Sequence, residues 1–243
     1  MEDKLASLIE RIILVRFLAA ARRYYRLSYL AEATGVDASL LSRYTTGRML
    51  PSDRLASELR EKIRRVVDVG RIILEEAVGP NWVLDLSYPL MKREVLDLAA
   101  IELYWRIKGW RVDKILVPET SGVSLATRLG HYLNVDVMIA RKRKANPGIR
   151  WIEEHVAAPP NISRSLYVPE SSIRKRERVV VVDDFIRSGY TLACALRLVE
   201  KAGGVPVGVA SLVVFGDEWR RLVNLRNVES LAWLESSASL QQA

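Results

Sequence analysis

Beyond Pro80 the chain alternates between short apolar runs and longer stretches whose apolar residues recur at helical spacing. The runs KILVPE, VDVMIA, RVVVVDD and VPVGVASLVVF begin at residues 114, 135, 178 and 205, and they are apolar almost throughout rather than at every second position. That pattern predicts strands buried on both faces, as in parallel sheets covered by helices. MKREVLDLAAIELYWRIKG, GVSLATRLGHYL and GYTLACALRLVEKAGG predict the helices, the first closed by a glycine cap at Gly109. The fold class this implies is α/β, a parallel sheet flanked by helices. Residues 141–177 are polar, basic and proline-containing with little periodicity, and they predict a long functional loop.

The front of the chain follows a different rhythm. Residues 1 to about 50 predict short helices with tight turns, and residues 52–78 one longer helix ended by Gly79-Pro80. Leu55, Leu59, Ile63, Val66 and Ile73 keep one face of that helix, and Gly70 interrupts it. The boundaries that follow are a small all-α unit over 1–51, a connecting helix over 52–79 and an α/β domain over 80–243. Inside the small unit, LSYLAEATGVDASLLSRYTTGRMLPS predicts two short helices around a turn at Gly35. Leu30, Ala31, Val36, Leu41 and Tyr44 form its core, and Asp37 caps the second helix.

Composition narrows the partners. Among 243 residues, 37 basic against 29 acidic side chains give a net charge of +8, which suits a polyanion: nucleic acid or a phosphate-rich small molecule. No apolar stretch approaches the ~18 residues of a membrane span. The acidic start, MEDKLASLIE, is unlike a secretory signal. A single cysteine, Cys194, excludes an internal disulfide and fits a reducing cytoplasm; its apolar setting reads as core packing. Two histidines leave no basis for a multi-histidine metal site.

The candidate chemistry lies in RVVVVDDFIRSGYTL. Asp183 and Asp184 end a predicted buried strand, where ligands of open parallel sheets bind. The following RSGYT leads into a helix whose first amides, with the hydroxyls of Ser188 and Thr191, suit a phosphate, and Gly189 permits close backbone approach. Two carboxylates beside a phosphate would repel it unless they bind hydroxyl groups or a divalent cation. A sugar phosphate supplies the hydroxyls.

This stretch resembles the ribose-phosphate signature of type I phosphoribosyltransferases. The resemblance implies that Asp183 and Asp184 hold the ribose hydroxyls of phosphoribosyl pyrophosphate (PRPP), carried with Mg²⁺, while Arg187, Ser188, Gly189, Tyr190 and Thr191 wrap its 5′-phosphate. ILVPETSGVSLATRLG resembles the family's pyrophosphate loop, with Glu119, Thr120, Ser121 and Gly122 in the turn; many catalytic members carry a basic residue where Ser121 stands. Arg141 and Lys142, after the next strand, are implied to approach the pyrophosphate, and residues 146–173 occupy the place of the hood loop, with Ser165 and Tyr167 echoing its serine–tyrosine element.

The front unit resembles phage-repressor-like helix-turn-helix domains. Ala38, Ser39, Ser42 and Arg43 would face the major groove, with Thr46 and Arg48 on phosphates. The combination resembles purine-repressor and archaeal regulator architectures, and Phe185 matches the acid-acid-Phe form of the signature in purine repressors. The leading expectation is therefore a cytoplasmic, homodimeric DNA-binding regulator that senses PRPP or a nucleotide. A working purine phosphoribosyltransferase with an accessory helical domain is the alternative, and an RNA-binding regulator a third reading.

Overall fold

The computed structural model describes residues 2–79, 83–158 and 162–235. Its centre is a parallel five-stranded sheet of order β2-β1-β5-β6-β7. The strands are β1 (Lys114–Pro118), β2 (Asp136–Ala140), β5 (Arg178–Ile186), β6 (Val205–Phe215) and β7 (Val228–Leu234). Helices α7 (Arg93–Ile107), α8 (Val123–Leu133) and α9 (Tyr190–Lys201) follow the predicted pattern. Val179 to Val182 of β5 have no exposed surface. Val180 and Val182 join Ile115 and Val117 in the core under α7 and α8. Val179 and Val181 join Leu116 in the core under α9. Continuous apolarity in the sequence is thus the mark of a sheet with two covered faces.

Four expectations change. Residues 141–177 contain an antiparallel hairpin, β3 (Trp151–Ala158) and β4 (Ile162–Pro169), rather than an unstructured loop. Val156, Leu166 and Val168 bury one face of it in the α9-side core, which gives the ribbon the support that two isolated strands lack. The Cys194 thiol, at 3.3 Å from both the Glu154 and Arg164 carbonyl oxygens, pins both strands to α9. Residues 52–78 form two helices, α4 (Asp53–Val66) and α5 (Val69–Ala77), because the Asp68 carboxylate accepts from the Arg71 amide and starts a new helix. The glycine cap at Gly109 is replaced by a 3₁₀ turn over Lys108–Trp110, and Arg111 takes the left-handed position. The first segment is a single 20-residue helix, α1 (Glu2–Ala21), not several short ones. It docks through Phe17 on Trp105 of α7, ring centroids 4.8 Å apart. Glu10 of α1 also accepts bonds from Tyr104 and Lys108, each at 2.6 Å.

After α1 come α2 (Leu27–Thr34) and α3 (Ala38–Thr45), joined by Gly35 in the left-handed region. Leu30, Leu41 and Tyr44 are buried between them, and Asp37 accepts from the Ser39 and Leu40 amides. Lys62 of α4 donates to the Thr34 carbonyl at 2.7 Å, closing the end of α2. At the other end of α4, Arg64 binds the buried Glu102 carboxylate of α7 at 2.7 Å. Arg106 binds the same carboxylate at 2.8 Å and donates onward to the Ser230 carbonyl of β7. A buried carboxylate held by two guanidinium groups satisfies its charge without water. Among the described residues no helix is long and apolar enough to cross a membrane.

Gly70 of α5 presses on β7: a Cβ there would lie 2.2 Å from the Leu231 carbonyl oxygen. Gly70→Ala is therefore expected to lower unfolding free energy by about 1–3 kcal/mol in denaturant titrations. Gly109→Ala, where no atom lies within 4 Å, is the control and should change it by less than ~0.5 kcal/mol.

Candidate functional site

The carboxyl ends of β1 and β5 open into a cleft of about 670 Å³. Its floor is the turn Pro118–Ser121 together with Asp183, Asp184 and Phe185, and the hairpin residues Arg164–Tyr167 form its wall. Lys142 and Thr191 complete the lining. The strand order explains the convergence: β1 and β5 are hydrogen-bonded neighbours, so the turn after one and the aspartates ending the other emerge side by side. The buried Ser211 hydroxyl of β6 lies beneath the aspartates, 3.0 Å from the Val213 carbonyl and 3.3 Å from that of Asp184.

Of the predicted residues, Glu119, Thr120, Ser121, Lys142, Asp183, Asp184 and Thr191 share this cleft. Gly122 sits beneath it, where a Cβ would come within 3.2 Å of the Asp184 amide. The Glu119 carboxylate accepts from the Lys142 amide at 3.0 Å, tying the turn to the end of β2. Arg141 is committed through its backbone, exchanging bonds of 2.9 and 2.8 Å with Tyr167 of β4, and does not line the cleft.

Arg187, Ser188, Gly189 and Tyr190 form the loop from β5 into α9, beside the cleft rather than in its lining. The first intrahelical bond runs from the Ala193 amide to the Gly189 carbonyl, so the preceding amides have no partner in the helix and remain available to an anion. Gly189 has φ +79°, and a Cβ on it would meet Trp219 at 2.7 Å. The loop therefore rests on the 3₁₀ turn Glu218–Arg221. The Arg187 guanidinium lies 5.5 Å above the Phe215 ring.

Burial, then the neighbouring Asp184 charge, pushes the Asp183 carboxyl well above the usual carboxylate range, against the opposing pull of Lys142. Asp183 thus holds its proton more tightly than an exposed carboxyl does. The Cys194 thiol, raised to about 11 by burial, stays neutral and serves packing, in agreement with its apolar sequence context.

The oxygen-only donors Asp183, Asp184 and Glu119 suit a hard divalent cation. Among the described residues, however, no group of three histidine, cysteine or acidic side chains is arranged to hold one unaided. Such a cation fits here as the companion of a phosphate ligand.

On α3 and beyond it, Ala38, Ser39, Arg43, Thr46 and Arg48 are exposed and Ser42 is half-buried. The Ser39 hydroxyl lies 2.6 Å from Asp37, and that of Thr46 2.8 Å from the Ser42 carbonyl, so each has a local acceptor for its proton.

Residues 87–229 match the family described as the phosphoribosyl transferase domain. The chain belongs to the phosphoribosyltransferase family. An adenine phosphoribosyltransferase of Brachyspira hyodysenteriae is 30% identical to this chain over 129 residues, spanning 53% of this chain and 75% of that protein. A xanthine phosphoribosyltransferase of Clostridium tetani is 30% identical over 159 residues, spanning 64% and 80%. The fold matches the crystal structure of adenine phosphoribosyltransferase from Thermoanaerobacter pseudethanolicus with TM-score 0.62 at 21% identity, covering 68% of this chain and 99% of that one. The shared architecture is the phosphoribosyltransferase sheet and its helices, with the helical segment ahead of residue 87 placed before it.

Arg164 lines the cleft without a signal in the sequence, because the hairpin that carries it shows no strand periodicity. Ser165 and Tyr167, the expected serine–tyrosine element, both line the cleft.

The tighter hold of Asp183 on its proton has a sign that stability measurements can read. A folded carboxyl that binds its proton more tightly than the unfolded one stabilises the fold at low pH, and that contribution is lost as pH rises from the ordinary carboxylate range through the raised value. Wild type should therefore lose stability across that window relative to Asp183→Asn, measured by urea unfolding at a series of pH values.

Proposed function

We propose that this protein transfers the 5-phosphoribosyl group of PRPP to a purine base, within nucleotide metabolism. The observation that carries this reading is the meeting of the Asp183–Asp184 pair, the turn Glu119–Gly122 and the open amide end of α9 at one rim of the sheet. Asp183 and Asp184 would accept hydrogen bonds from the ribose hydroxyls, and the loop Arg187–Thr191 would hold the 5′-phosphate at the helix terminus. In the transfer the bond from the anomeric carbon to pyrophosphate breaks, the bond to a purine nitrogen forms, and the base releases a proton. Lys142 and the amides of the Glu119–Gly122 turn would meet charge developing on the departing pyrophosphate. Mg²⁺ carried with PRPP would neutralise part of that charge. The hairpin β3–β4 would shield the reacting atoms from water.

The names of the relatives, adenine and xanthine phosphoribosyltransferase, support a purine acceptor. Incubating the protein with PRPP, Mg²⁺ and adenine, hypoxanthine, guanine or xanthine should give the nucleotide and pyrophosphate with at least one base. Asp184→Asn should lower the rate about 100-fold through lost positioning of the ribose. No nucleotide from any of the four bases would overturn the catalytic assignment.

The exposed face of α3 favours a second role, a DNA-binding regulator that responds to PRPP or a nucleotide. Arg43 is solvent-exposed and, among the described residues, has no acidic partner, while Leu41 and Tyr44 anchor the opposite face. In this reading Ala38, Ser39, Ser42 and Arg43 face bases, and Thr46 and Arg48 lie along the backbone. A homodimer would set two such helices one DNA turn, or a multiple, apart. Fluorescence anisotropy on the DNA upstream of the protein's own coding sequence checks it. Arg43→Ala should cost about 1–3 kcal/mol of binding, and PRPP should shift the affinity. Weak, salt-labile binding indifferent to both would remove this role.

A further inference from the structure

Resting on the PRPP-binding reading, we propose that Arg164, carried by the hairpin, is the guanidinium that closes on the pyrophosphate end of the ligand. Positive charge is scarce in the cleft. Its lining brings three carboxylates, from Glu119, Asp183 and Asp184, and two bases, Lys142 and Arg164. The turn Glu119–Gly122 contributes amides and hydroxyls but no basic side chain. A pyrophosphate entering there would meet acids on the protein side and only two basic side chains, Lys142 and Arg164, so the second base weighs on whether the site attracts it.

Arg164 is the base that the hairpin supplies. Lys144, Arg150 and Lys201, on and beside the hairpin, pair with Glu153, Glu170 and Glu154. Arg164 has no carboxylate within ion-pair distance among the described residues and is exposed to solvent. Its backbone is fixed: the carbonyl lies 3.3 Å from the Cys194 sulfur of α9, and three residues on, Tyr167 is locked to Arg141 at the end of β2. Along β4, Arg164 continues the inward stripe of Leu166 and Val168, so it stands where the buried face of the hairpin gives way to the cleft. A planar guanidinium with five donors suits two phosphoryl groups in sequence better than an ammonium does.

The 5′-phosphate is the weaker claimant. Its loop, Arg187 to Tyr190, does not line the cleft that Arg164 lines, whereas the turn Pro118–Ser121 does. The loop also has its own amides and helix terminus to neutralise a phosphate.

Titration calorimetry on the full chain, with PRPP, inorganic pyrophosphate and ribose 5-phosphate, each with Mg²⁺, tests the assignment. Arg164→Ala should weaken PRPP and pyrophosphate by about 10- to 100-fold, the usual effect of losing a charge-assisted bond, and leave ribose 5-phosphate unchanged. Arg164→Lys should recover part of the loss. Because the side chain is exposed, the melting temperature of both variants should match wild type, which separates lost contact from lost fold. Equal weakening of ribose 5-phosphate, or no change for any ligand, would overturn the assignment while leaving PRPP binding intact. Wild-type protein that binds neither PRPP nor pyrophosphate would instead overturn the reading on which it rests.

Discussion

Complete burial of β5 on both faces is the constraint on which the rest depends. Val179 to Val182 can neither slide nor turn over, since one residue of slippage would exchange the side chains that face α7 and α8 with those that face α9. Beyond Val182 the strand runs on beside β6 to Ile186, and its first half-buried residues are the two aspartates. Their neighbours are set by the same strand. Pairing with β1 brings the Glu119–Gly122 turn alongside, pairing with β6 brings Ser211 beneath, and the exit into α9 sets the loop Arg187–Tyr190 beside them. The site is a consequence of strand register before it is a collection of side chains.

The helices ahead of the phosphoribosyltransferase domain are built into this body rather than appended to it. One hydrophobic cluster runs from Phe17 and Leu18 of α1 through Leu41 and Ile63 to Ile101 of α7 and Val180 of the sheet. The Arg64–Glu102–Arg106 trio adds a polar join at the edge strand, where Arg106 also occupies the Ser230 carbonyl. Because one buried carboxylate accepts from both arginines, losing Glu102 would break the join to α4 and to β7 together.

Much of this was legible in the sequence where information is local. The apolar runs named four of the strands, and the DDFIRSGYT stretch named its own loop and carboxylates because they are contiguous. The core of α2 and α3, the turn at Gly35 and the Asp37 cap also follow from short-range chemistry. The hairpin was not legible: its inward face is only Val156, Leu166 and Val168 among charged neighbours, and its support comes from α9, distant in sequence. The break between α4 and α5 hid for a related reason, since the apolar face continues across it and a single capping carboxylate decides the boundary. Arg164 shows the same limit at the site. Nothing in SRSLY says which residue faces a cleft until the hairpin is laid over α9.

The contact between Gly189 and Trp219 extends past phosphate binding. The loop backbone lies so close to the indole-bearing residue that any side chain at 189 would occupy the space of the Trp219 Cα and Cβ. Trimming the indole would not relieve this, because the obstruction is the main chain of the turn itself. Substitution at 189 would have to be accompanied by a change of length or course in residues 216–221, so the anion loop and this turn can diverge only as a unit, by insertion or deletion rather than by exchange of single residues.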